Sequence, residues 1–87
     1  MNLRQAAWEA TAGYRKKGAK KYRHLQCTRL LKFVAFAQKR GARDFGQIGK
    51  RTFISFCKEY KLSTKTAEEY RKIISFFNQL VDGKIHI

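Results

Sequence analysis

Six cations fall within nine residues, at Arg15, Lys16, Lys17, Lys20, Lys21 and Arg23, and the chemistry such a cluster serves best is the neutralisation of phosphate. The run joins a connector to the start of a helix, where side chains and unpaired backbone N–H groups can both reach phosphate oxygens. A second set, Ser63, Thr64, Lys65 and Thr66 with Arg71 and Lys72 beyond it, places hydroxyls and cations at the start of a later helix. It reads equally as a surface whose side chains contact phosphates and one or two base edges, or as an ordinary N-cap with solubilising lysines.

Catalytic chemistry is poorly supplied. A hydrolase, transferase or nuclease needs a positioned acid, base, nucleophile or metal set, and six acidic residues and two histidines would have to provide it. His24 lies inside the basic run and reads as a solvated side chain more readily than as a phosphate contact, and His86 lies in the tail. Glu68 and Glu69 are helix neighbours about 100° apart, which suits helix-start electrostatics better than a shared proton or metal. Cys27 and Cys57 are too few for a zinc set and read as buried small hydrophobes. No enzyme activity, cofactor, metal or small-molecule substrate is expected.

Composition narrows the partner. The chain has 87 residues and a formal charge of +14, from 20 Lys and Arg against 6 Asp and Glu, a balance that repels itself unless a polyanion is present. The charge is uneven: residues 1–43 hold twelve of the cations and only Glu9 as an acid. With 44% hydrophobic and 14% aromatic residues, the chain carries more apolar material than a disordered tail and should fold as one core. The cations are spread over several segments instead of forming one polybasic helix face, so no membrane partner is expected. No signal-peptide-like or membrane-spanning run is read, and the expected location is the bacterial cytoplasm, associated with nucleoid or plasmid.

The elements that must carry these residues are helices. Proline is absent, and apolar residues recur at i, i+3, i+4 and i+7 in four segments. Leu3, Ala6, Ala7 and Ala10 form a thin first stripe with Trp8 beside it. Gly13 and Gly18 then bracket Tyr14 to Lys17, where a break is predicted. The central helix is predicted over Lys20 to Lys39, with Leu30, Phe33, Val34 and Ala37 inward, Tyr22, Leu25, Leu31 and Phe36 widening the stripe, and Gly41 as its stop. Residues 44–49 read as a loop that drops Phe45 and Ile48 onto the core. A third helix follows from Lys50 to Tyr60 through Phe53, Phe56, Cys57 and Tyr60. The fourth starts at one of Ser63, Thr64 or Thr66 and continues through Tyr70, Ile73, Ile74, Phe77, Leu80 and Val81, ending at Asp82-Gly83. The fold class is therefore all-α, a small four-helix bundle, with a basic extension carrying a short helix over 1–19 and a helical binding domain over 20–87. Most aromatic residues lie on these stripes, leaving Trp8, Tyr14 and Tyr22 as the candidates for exposed base-stacking platforms.

Residues 20–87 resemble the core-binding, SAM-like domain of the tyrosine recombinase or phage integrase family. The pattern Leu30-x-x-Phe33-x-x-Phe36, then Gly41, the Ile48 turn and Phe53-Ile54-x-Phe56, is similar to the family's first long helix and its sequel. Ser63-Thr64-Lys65-Thr66 leading to Phe76-Phe77-x-x-Leu80 resembles its last helix, and Gly83-Lys84-Ile85 the exit to the linker. The resemblance implies a module that grips double-stranded DNA as half of a clamp, with the helix starts around Lys20 and Lys65 near phosphates. It also implies that the catalytic residues belong to a following domain, so the tyrosines here are not nucleophiles.

Two origins fit that resemblance: a DNA-binding fragment of a full-length integrase, or a free-standing accessory or regulatory protein of a mobile element, with a recombinase or other DNA-processing protein as a further partner. The opening Met1 favours the second. The competing readings are an RNA-binding protein, and an adaptor that docks a protein through Trp8 and the alanine stripe.

Overall fold

The computed structural model describes residues 2–17 and 20–85, without the Lys20 side chain. Helix α1 spans Leu3–Ala10 and α2 spans Ala12–Arg15. Helix α3 runs over Lys20–Lys39, as the periodicity predicts, and α4 over Lys50–Glu59 and α5 over Thr64–Leu80 complete the set. No strand occurs among the described residues. The all-α class holds, with five helices where four segments are legible in the pattern.

The extra helix arises at Thr11. Its hydroxyl donates to the carbonyls of Ala7 and Trp8, both at 3.0 Å, and its backbone leaves the helical region with ψ at 4°. A hydroxyl bonded back to the preceding turn competes with the helix ladder. The break therefore falls at Thr11, and the chain is helical again through Gly13, where the pattern predicts interruption. The break expected at Gly18 lies outside the described residues.

Helix α1 runs antiparallel to α3. The Arg4 N–H donates to Gln38 Oε1 at 3.3 Å, and Thr11 at the other end lines the same small crevice as Gln26 and Cys27. Asn2 caps α1 by accepting from the Gln5 N–H at 2.8 Å. Leu3 and Ala7 are buried in the common core, so the first segment and residues 20–85 share one hydrophobic interior. The alanine stripe expected for an adaptor is partly spent on α3: Ala7 is fully buried, whereas Ala10 is exposed.

The centre of the core is aromatic. Phe33 meets Phe56 edge-on at 5.2 Å and Phe53 at 6.1 Å, Phe56 meets Tyr70 at 5.0 Å, and Phe45 meets Phe77 at 5.3 Å, the tilted geometry that ring quadrupoles favour. A 3-10 turn over Phe45–Gln47 delivers Ile48 to full burial, as the loop reading predicts. Three helices end alike: Ala42 N–H bonds to Ala37 O at 3.1 Å, Leu62 N–H to Cys57 O at 3.0 Å, and Gly83 N–H to Asn78 O at 2.8 Å. Each is the six-to-one bond of a helix-closing turn, and Gly41 supplies the left-handed residue of the first, at φ 103°.

Besides Ala10, four stripe positions are exposed. Tyr22, Leu25, Tyr60 and Leu80 are 62%, 49%, 43% and 43% exposed. They lie at the edges or ends of their stripes, and Tyr60 is half-covered from α3, its ring 6.3 Å from Phe36. Cys27 is buried as expected, and Cys57 only half-buried.

Candidate nucleic-acid interface

The two predicted basic sets occupy opposite ends of one helix pair. Gln26 and Cys27 of α3 share a crevice with Phe76 and Phe77 of α5, while Arg29 lies against Glu69, so α5 runs opposite in sense to α3. Lys21 is eight residues before Arg29 and Lys65 four before Glu69. At 1.5 Å per residue the two lysines are displaced by roughly 18 Å along the pair. The structure does not bring the two sets together as one patch.

Within the first set the side chains divide. Arg15 places its guanidinium 3.2 Å from the Trp8 ring centroid and donates to the Trp8 carbonyl at 2.6 Å. Arg23 donates to the Tyr14 carbonyl at 3.0 Å and lies 4.4 Å from the Tyr14 ring. Tyr14 in turn packs on Phe76 at 4.6 Å and donates to Gln26 Oε1. Arg15 thus ties α2 to α1, while Arg23 and Tyr14 fasten the α1–α2 corner onto α3 and α5, and among the described side chains of the set Lys16, Lys17 and Lys21 are exposed. The Lys20 side chain lies outside the described residues, as does His86. Of the three candidate stacking rings, Trp8 and Tyr14 each carry a guanidinium against the ring, Trp8 remaining 39% exposed, and Tyr22 is the most open at 62%.

The second set is an N-cap and an exposed flank together. Ser63 accepts from the Thr66 N–H at 3.2 Å and donates to the Thr66 hydroxyl at 3.1 Å, which settles the choice of cap. Thr64, Lys65 and Lys72 are exposed. Arg71 is exposed too, but its guanidinium lies 5.3 Å from the Phe53 ring and is turned toward α4. There it opposes the burial that pushes the Cys57 thiol above its usual value. Burial likewise raises Tyr70, against the nearby Arg29. Both groups stay protonated at neutral pH and neither is an activated nucleophile.

A third basic region was not singled out in the sequence. The end of α3 and the start of α4 enclose an open groove lined by Arg40, Gln47, Arg51, Thr52 and Ser55. Beside it the outward positions of α4, Lys50, Arg51, Ile54 and Lys58, are all exposed. Their spacing complements the buried Phe53 and Phe56. The signal was present as the polar side of the third helix, whose apolar side alone drew the reading.

Acids do little to offset these cations. The single ion pair among the described residues joins Arg29 to Glu69 at 2.6 Å, and no His, Cys, Asp or Glu cluster able to hold a metal occurs among them. No described helix is long and apolar enough to cross a membrane. The architecture is thus a strongly basic helical bundle with cations at several helix ends. No family model, curated protein or solved structure matches the chain.

Proposed function

We propose that the protein is a non-enzymatic DNA-binding module that holds duplex DNA through its phosphate backbone. In this reading it serves as an accessory or regulator of recombination, replication or transfer on a mobile element. The observation that carries the reading is the excess of exposed, unpaired cations around a well-packed core. A folded domain gains nothing in stability from repelling charges, so their retention points to a polyanionic partner. Lys21 and Lys65, set apart by more than the ~12 Å width of the major groove, suit separate phosphates on a duplex better than one small anion. The integrase core-binding resemblance supports duplex DNA over RNA and places any strand-cleaving chemistry in another domain or protein.

The test is competition. A labelled duplex of about 25 base pairs is bound by the protein and then challenged with equal concentrations of unlabelled duplex or an RNA hairpin of the same charge. The reading expects duplex to displace the label at least several-fold better. Preferential displacement by the hairpin would move the protein to the RNA-binding class.

A further inference from the structure

Helix α4 has the surface of a helix made to lie in a groove. Its inner side is fixed by Phe53 and Phe56, which pack on Phe33, Phe36 and Tyr70. Its outer side presents Lys50, Arg51, Ile54 and Lys58, and Lys61 follows just past its end; all are exposed and none is acidic. The acid of this helix, Glu59, lies off that face beside Tyr60 and Lys39.

We infer that α4 is the element that enters the major groove of duplex DNA, with Ile54 toward the base edges and the flanking cations on the two backbones. The inference rests on the DNA-binding reading and specifies which surface does the work. An α-helix with its side chains is about 10–12 Å across, close to the ~12 Å major groove. At about 100° per residue Lys50 falls roughly 40° to one side of Ile54 and Arg51 and Lys58 roughly 40–60° to the other, so cations flank it toward both backbones of the groove. Ile54 is 42% exposed between them. The major groove presents an apolar group of matching chemistry, the thymine methyl.

The flank of the helix adds to the case. Gly49 caps α4 without a side-chain acceptor for the first turn, and the adjoining groove holds Arg40 and Arg51 with Gln47, Thr52 and Ser55. A phosphate seated there would meet two guanidinium groups and hydroxyl donors, the geometry that fixes a protein's register on a duplex.

The experiment compares two triple variants that remove the same charge. One is K50Q/R51Q/K58Q on the α4 face; the other is K32Q/K39Q/K84Q, three exposed lysines elsewhere. Circular dichroism confirms that both fold, and each is titrated into the duplex of about 25 base pairs over a salt series. The α4 set is expected to weaken binding about 100-fold or more and to reduce the salt slope by two to three, near 0.9 per lost phosphate contact. The other set should lose less than about 5-fold, and Ile54→Asp should match the α4 set while circular dichroism shows it folded. Equal losses from the two triple variants, with the unaltered protein binding duplex normally, would overturn the α4 assignment and leave the DNA-binding reading standing. Failure of the unaltered protein to bind duplex at low salt would remove the functional reading, and the α4 assignment with it.

Discussion

Lys61 occupies the left-handed region at φ 50°, where a Cβ crowds the backbone and glycine does not. It closes α4 through the bond from Leu62 N–H to Cys57 O, a place helices usually give to glycine. Lys61→Gly is therefore expected to raise stability by about 0.5–1 kcal/mol, relief of strain outweighing the greater freedom of the unfolded chain. Urea denaturation midpoints check it, and an unchanged or lower midpoint would mean the turn carries no strain. Individual roles were legible unevenly for a related reason. A helix pattern shows that Arg15 and Arg23 are cationic, but not that Trp8 and Tyr14 sit where their guanidinium groups can stack. Asn78 was invisible for the same cause: its amide brackets Ile85, accepting from its N–H at 2.8 Å and donating to its carbonyl at 2.9 Å, a contact set by the path of the tail.

Among the helices, α3 was the most legible because its ends carry their own signals and its inward positions, Leu30, Phe33, Val34 and Ala37, repeat without interruption. The inward side of α4 was equally plain in Phe53 and Phe56. What the pattern could not fix is which stripe edge a neighbour covers, so Leu25 and Leu80 were assigned to the stripes and are exposed. Nor could it show that α3 and α5 run in opposite senses, which separates the basic starts around Lys21 and Lys65. Helix α1 illustrates the reverse: a thin stripe of small residues suggests weak attachment, whereas small residues are what allow close approach to α3. Ala7 has no exposed surface. Ala7→Leu is expected to cost about 1–3 kcal/mol by overpacking that contact, read as a lower thermal midpoint. No loss would show that α1 is not docked.

For the molecule as a whole, the balance between core and charge decides the account. An interior of interlocked aromatic rings holds together a chain of net charge +14 in which one ion pair joins described residues. The sequence showed that imbalance, and the fold adds that the cations remain outward after packing, at Lys16, Lys17, Lys21, Lys65 and Lys72 and along α4. The most direct test of the central claim is duplex affinity measured by anisotropy from about 50 to 300 mM salt, because each neutralised phosphate releases counterions and steepens the dependence. The account predicts a linear fall of log affinity against log salt with a slope near −4 to −7, corresponding to about four to eight phosphate contacts. A slope near zero, or no binding at about 50 mM, would contradict it.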